Sequence, residues 1–398
     1  MTLDTGVMTP TTAVITVKLS EQGDRNDAAI KIDALAQSQI LRFWNLGDFS
    51  DLEDAISNIS MAVELTPYRH PNKPGYLSDL ADSFRIRFEH LETLSDLDNA
   101  ISIVAEAVGL TDDGHPDKPL YLSNLGCYQD IRFEHLGALS DLENAISNME
   151  MAVQLTDDVN PDKPMYLSNL GGSQETRFEY LGDLSDLEHA VSNQEKVVEL
   201  SLDAHPMKAC RLSNLGVIQH TCFHRFGDLS VLENAILNQE KAVKIADDGD
   251  PDKPMYLSNL GVTQRTRFEC LDNMSDLENA IRNMEKATQI NSSPSRLSNL
   301  GFTQLNRFER LGITSDLEHA ISNTTKAVEL TDNTHSHKPR YLSNLGWCQK
   351  TRFERFGDLL DLDDSISNLQ KAVELTDDSN SRKTGHLLNL GIARRTRF

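Results

Sequence analysis

The 398 residues carry 38 Lys and Arg against 61 Asp and Glu, a formal charge of −23. That balance repels phosphate backbones and anionic lipid, so neither nucleic acid nor a membrane surface is expected as a partner. No stretch approaches the ~20 consecutive apolar residues of a membrane span, and Met1-Thr2-Leu3-Asp4 lacks the basic start and apolar run of a secretory signal, which points to a cytoplasmic protein.

Residues 1–28 contain no repeat and read as a disordered or irregular N-terminal arm. Residues 29–398 are repetitive. Tyr121-Leu122-Ser123-Asn124-Leu125-Gly126 returns from Tyr166, Tyr256 and Tyr341. Its last position falls at Ala36, Ala81, Gly126, Gly171, Gly216, Gly261, Gly301, Gly346 and Gly391, a period of 45 residues with one step shortened to 40. Such a period is the mark of a solenoid. Within one period Leu122, Leu125, Phe133 and Leu136 share one helical face, helix A, and Leu142, Ala145, Ile146, Met149, Ala152 and Val153 mark a second amphipathic helix, helix B. Pro74, Pro119, Pro164, Pro254, Pro294 and Pro339 fall in the first turn of helix A, where a missing N–H costs nothing.

The start of helix B reads as a capping box, from Ser50/Glu53 through Ser315/Glu318, broken only at Leu360/Asp363. The array therefore amounts to eight helix pairs plus a final unpaired helix A that stops at Arg397-Phe398, which suggests a fragment of a longer chain. The cysteines Cys127, Cys210, Cys222, Cys270 and Cys348 are odd in number and unclustered, and read as reduced thiols.

Leu122-x2-Leu125-Gly126-x2-Gln129 followed by Ala145-x3-Met149-x2-Ala152 resembles the tetratricopeptide repeat over roughly residues 30–398. It departs from that pattern in having mostly Gln where an aromatic is expected after the Gly, Asp157 in place of the closing Pro, and a period above the standard ~34 residues. The extra length is assigned mainly to helix A and its turn, the remainder to the Asp-rich loop between units. The resemblance implies an all-α fold, a right-handed α-solenoid of stacked antiparallel helix pairs. It also implies a non-enzymatic interaction scaffold without cofactor, binding a peptide or protein in a groove lined by helix A. The long period, with Leu-Gly-Asp-Leu-Ser-Asp-Leu and Arg-Phe-Glu, is similar to fungal arrays that precede CHAT protease domains. This implies an alternative, the sensor or regulatory region of a larger caspase-like effector.

Several recurrent residues read as structural. The Phe133 series is core, the Arg132 series is an ion-pair ladder to Glu134 and Asp141, and the Asn148 series is inter-repeat hydrogen bonding. Asp112-Asp113, Asp157-Asp158, Asp247-Asp248 and Asp377-Asp378 lack the alternating oxygens of a calcium loop and read as a solvated ridge. His220-x-Cys222-x-His224 has metal-like spacing, but Cys222 neighbours the core Phe and should point away, so no metal is expected.

Selectivity in a solenoid lies where units differ. One residue after the Gly126 position the series runs Cys127, Gly172, Val217, Val262, Phe302, Trp347, Ile392, and four after it Asp130, Glu175, His220, Arg265, Leu305, Lys350, Arg395. Bulk rises and charge passes from acidic to basic. The candidate site is therefore Arg265, Phe302, Arg340, Trp347, Lys350 and Arg395, suited to an acidic peptide with an apolar anchor held by Trp347. The family's chaperone-tail clamp is not reproduced, since Ser123 and Cys127 stand at its first Lys and Asn.

Overall fold

A computed structural model describes residues 22–377 and 382–397. Among these residues all regular structure is helical, in consecutive antiparallel pairs. The A helices are α1 (Gln22–Leu46), α3 (Lys73–Leu91), α5 (Lys118–Leu136), α7 (Lys163–Leu181), α9 (Lys208–Phe226), α11 (Lys253–Leu271), α13 (Pro294–Leu311), α15 (Lys338–Phe356) and α17 (Lys383–Thr396). The B helices are α2 (Phe49–Leu65), α4 (Leu94–Leu110), α6 (Leu139–Gln154), α8 (Leu184–Leu200), α10 (Leu229–Ile245), α12 (Met274–Ile290), α14 (Thr314–Glu329) and α16 (Leu359–Glu374). The chain divides into two compact units, Met1–Arg177 and Phe178–Phe398. Helix α1 begins at Gln22, inside the stretch read as an arm. Residues 1–21, the rest of that stretch, lie outside the described residues, as do Asp378 and Phe398.

The long period resides in the helices. α5 has 19 residues and α4 has 17, together more than an entire standard ~34-residue repeat. The turn between α5 and α6 is only Gly137-Ala138, so no extra length lies there. The shortened unit loses its residues between pairs: α12 ends at Ile290 and α13 begins at Pro294, with Ser293 accepting from the Arg296 N–H at 3.4 Å as its N-cap.

Each pair closes where small residues face each other. Gly126 on α5 lies against Ala145 of α6, and a Cβ added to Gly126 would stand 2.9 Å from the Ala145 carbonyl oxygen. Around this contact Leu122, Leu125, Phe133, Leu142, Ile146, Met149 and Ala152 are buried as the pattern predicts. Leu136 departs from it, at 54 % exposed: it is the last residue of α5, and the chain reverses at Gly137 before helix B can cover it.

The Arg132 ladder forms, with one partner exchanged. Arg132 donates from Nε and Nη2 to Asp141 at 2.9 and 2.6 Å, a planar fork on a carboxylate. Its Nη1 reaches Asp98 of the preceding pair at 2.8 Å rather than Glu134. Arg87 and Arg352 repeat this, to Glu53 and Glu318. Those acids are the ones read as capping-box members, and the capping box does not form. Ser50 is already inside α2, and the N-cap is Asp48, whose carboxylate accepts from the Ser50 N–H at 3.0 Å. Asp183, Asp228, Asn273 and Asp358 cap likewise.

The Asn148 series also works differently from expectation. Its amide donates to Gln129 within the same pair at 2.9 Å, as do Asn58, Asn238, Asn283, Asn323 and Asn368 to their own Gln. Hydrogen bonds between pairs come instead from Asn169 to Ser123, Asn259 to Ser213 and Asn344 to Ser298, at 2.9–3.2 Å. The lysine that opens every A helix except α1 and α13 adds a further tie: Lys118 Nζ donates to the Val108 and Thr111 carbonyls at 2.7 and 2.6 Å, satisfying the end of α4. Asp113 faces the same lysine at 3.6 Å, so the exposed acidic pairs are partly balanced by it.

Candidate partner-binding face

All six candidate residues lie in the second unit, on A helices: Arg265 on α11, Phe302 on α13, Arg340, Trp347 and Lys350 on α15, and Arg395 on α17. Consecutive A helices here also meet one another directly, α9 with α11, α11 with α13, α13 with α15 and α15 with α17, so their free faces form one continuous surface. The Ser-Asn-Leu-Gly segment ties this arrangement together: its Gly lies against helix B, and its Asn donates to a Ser of the preceding A helix, Asn259 to Ser213 and Asn344 to Ser298.

Three of the cations rest on aromatic rings. The Arg265 guanidinium lies 5.0 Å from the Phe302 centroid, Arg340 5.6 Å from Tyr341 and Lys350 Nζ 4.7 Å from Trp347. They differ in what else holds them. Lys350 is 6 % exposed and its ammonium is engaged by Glu354 at 2.6 Å, with Glu309 and the Trp347 indole beside it. The Trp347 ring thus lies against a cation that is itself paired within the same helix. Arg395 is exposed on α17.

Arg265 and Arg340 are less well provided for. The Arg265 side chain is 18 % exposed, and its Nη1 approaches Glu269 at 3.5 Å. Its Nε, and that of Arg340, are shielded from solvent without a hydrogen-bond partner. Burial pushes both guanidinium groups below the usual arginine range. Arg340 adds to this at Arg265, and Arg382 does so at Arg340. Phe302 also lines an open cleft of about 360 Å³ with Phe268, Glu269, Asn306, Glu309 and Arg310. A surface of this kind can take an anion at the guanidinium groups and an apolar side chain against the phenyl rings.

His220 of α9, whose neighbourhood is hidden in the sequence, borders Arg265. Its Nε2 is 2.8 Å from the Thr266 hydroxyl and 3.1 Å from His224 Nε2, and burial, helped by His224 and Arg265, pushes it down to about 4. Cys222 packs instead among Leu187, Ala190, Leu215 and Ile218. Cys222 holds the ladder's arginine position, and the matching aspartate position is Val231, which packs on the same cluster. Both members of the ion pair are therefore replaced together, a substitution legible only by comparing columns nine residues apart.

No family model and no curated protein sequence matches the chain. Among solved structures it is similar to human IFIT1, solved as a dimer with PPP-AAAA, at 16 % identity over 91 % of this chain and 73 % of that one, with a TM-score of 0.51. It is also similar to a tetratricopeptide repeat protein from Parabacteroides merdae, at 14 % identity over 79 % and 99 % of the two chains, TM-score 0.46. A third likeness is to a thermophilic TPR protein of Thermus thermophilus, at 18 % identity over 57 % and 98 %, TM-score 0.40. At these identities the likeness concerns fold alone. Together with the antiparallel pairs closed at Gly126 and Ala145, it makes the fold a tetratricopeptide-like helical solenoid.

Proposed function

We propose that the chain is a non-enzymatic interaction scaffold whose second unit binds an acidic peptide segment with an apolar anchor along its A helices. The surface runs from Arg265 and Phe302 through Arg340, Trp347 and Lys350 to Arg395. The observation that carries this reading is the stacking of Arg265 on Phe302 beside the open cleft, which sets a cation next to room for an apolar side chain. The recurrent residues are spent on packing and pairing, which leaves these variable positions for recognition.

An array of immobilised nonapeptides tests it, with acidic content and Phe or Leu content varied independently and every acid matched by its amide. The intact chain is expected to retain peptides that combine acids with Phe or Leu. Retention indifferent to replacing Glu by Gln would contradict the reading. PPP-AAAA, the group present in the human IFIT1 structure, is expected not to bind, because the net charge of −23 and Glu269, Glu309 and Glu354 on this surface oppose polyphosphate. Saturable binding of PPP-AAAA would assign the surface a different partner.

A further inference from the structure

Helix α11 offers an internal comparison for its own unsatisfied arginine. Two residues beyond Arg265, Arg267 presents Nε to Asp276 at 2.9 Å and Nη2 to the other oxygen of the same carboxylate. That edge, Nε with one terminal nitrogen, is the part of a guanidinium that matches a carboxylate bidentately. In Arg265 and Arg340 the Nε is shielded from solvent and bonded to nothing in the chain. A buried donor of a charged group left this way is costly. The nearby like charges, Arg340 for Arg265 and Arg382 for Arg340, increase the cost.

The rest of each group is held. Arg265 is fixed by the Phe302 ring and by Glu269, which approaches a terminal nitrogen and not Nε. Arg340 is fixed by its contact with Tyr341. Both are oriented, and what they lack is an acceptor. Lys350 differs, since its ammonium already has Glu354. We infer that Arg265 and Arg340, and not Lys350, read the acidic side chains of the bound peptide, each guanidinium taking a carboxylate. The residue beside the Arg265-bound acid enters the cleft at Phe302. This assignment rests on the acidic-peptide reading above and divides its six residues into readers and supports.

The test uses the intact chain and the nonapeptide array, extended by peptides in which each Glu is replaced by phosphoserine. Arg265→Lys and Arg340→Lys keep the charge but remove the planar edge. Each is expected to weaken the Glu-containing binders roughly ten- to a hundredfold, the worth of a charge-assisted hydrogen bond. Lys350→Met is expected to weaken them less than about threefold, a fraction of one such bond. Melting temperatures identify any variant that has lost its fold. For that case the parent chain supplies a second readout, in which the Nε–H resonances of Arg265 and Arg340 shift on addition of a retained Glu peptide.

Losses confined to the two arginine variants, with shifted Nε–H resonances, support the inference. Folded arginine variants that bind as the parent does, a larger loss in Lys350→Met, or resonances that stay in place overturn it while the acidic-peptide reading stands. Preference for phosphoserine over Glu overturns the carboxylate assignment. If the parent retains no acidic peptide, both the reading and this inference fall.

Discussion

Asp141 is only 5 % exposed, and the Arg132 fork is what makes a carboxylate tolerable there. Removing one partner of such a pair leaves a buried charge uncompensated, so Arg132→Ala is expected to cost about 3–5 kcal/mol in urea unfolding. A loss below about 1 kcal/mol would show that the ladder is decorative. The pair at Cys222 and Val231 permits the complementary experiment. Val231→Asp alone should destabilise, and adding Cys222→Arg should restore part of the loss, with a coupling of roughly 1–3 kcal/mol; additivity of the two changes would contradict the account. Asp79 in the first unit is predicted to give a pH signature. Burial first, then the like charges of Asp33 and Asp82, push its carboxyl up to about 7 from 3.8. Between those values the folded chain holds a proton that the unfolded chain has released, so stability falls as pH rises through that window. Asp79→Asn should therefore raise the melting temperature at pH 8 and leave it nearly unchanged at pH 4, and equal effects at both would refute the assignment. The arginine ladder and its aspartates are legible in the sequence because each recurs nine residues apart. The Asp79 cluster is not, since Asp33 and Asp79 meet only through the packing of α1 on α3.

At the scale of the element, the helices are legible and their fastenings much less so. The Leu, Ala and Gly spacings locate both helices of each pair, and Gly126 demonstrates why: an added Cβ meets the Ala145 backbone, which cannot step aside. Gly126→Ala is expected to lose about 1–3 kcal/mol by overpacking, measured by urea unfolding. Ala36 and Ala81 hold this position in the first two pairs, where each is fully buried. The turns between helices place a left-handed residue after helix A, usually glycine, but Glu92 stands there with φ of 53°. Glu92→Gly should gain about 1 kcal/mol, and a loss would mean that the Glu92 side chain contributes something the backbone does not. The capping box was the misleading signal. In α2 Ser50-x-x-Glu53 has the right spacing, but Asp48 reaches the free Ser50 N–H and Glu53 goes to Arg87. The lysine at the start of α5 gives no sequence signal beyond an ordinary surface charge, because the carbonyls that receive it lie on α4 and become adjacent only when the chain folds back.

Over the whole molecule, the 45-residue period makes the architecture readable, since every unit states the same packing solution again. The proposed binding surface is readable only as a trend, from Asp130 to Arg395, because a column of residues shows which charge occurs and not whether it is already engaged. The sequence treats Lys350 and Arg265 alike. The structure separates them through Glu354, which lies one turn from Lys350, and through the unpartnered Nε of Arg265. The human IFIT1 likeness adds the fold and leaves recognition to the side chains of this chain. Titration of a fluorescent nonapeptide bearing Glu and Phe into the intact chain, against its Gln counterpart and against the Arg265→Glu variant, tests the central claim most directly. The account predicts saturable binding of the Glu peptide that weakens with salt, at least tenfold weaker binding of the Gln peptide, and none by Arg265→Glu. Equal affinity for the two peptides, or parent-like binding by Arg265→Glu, would contradict it.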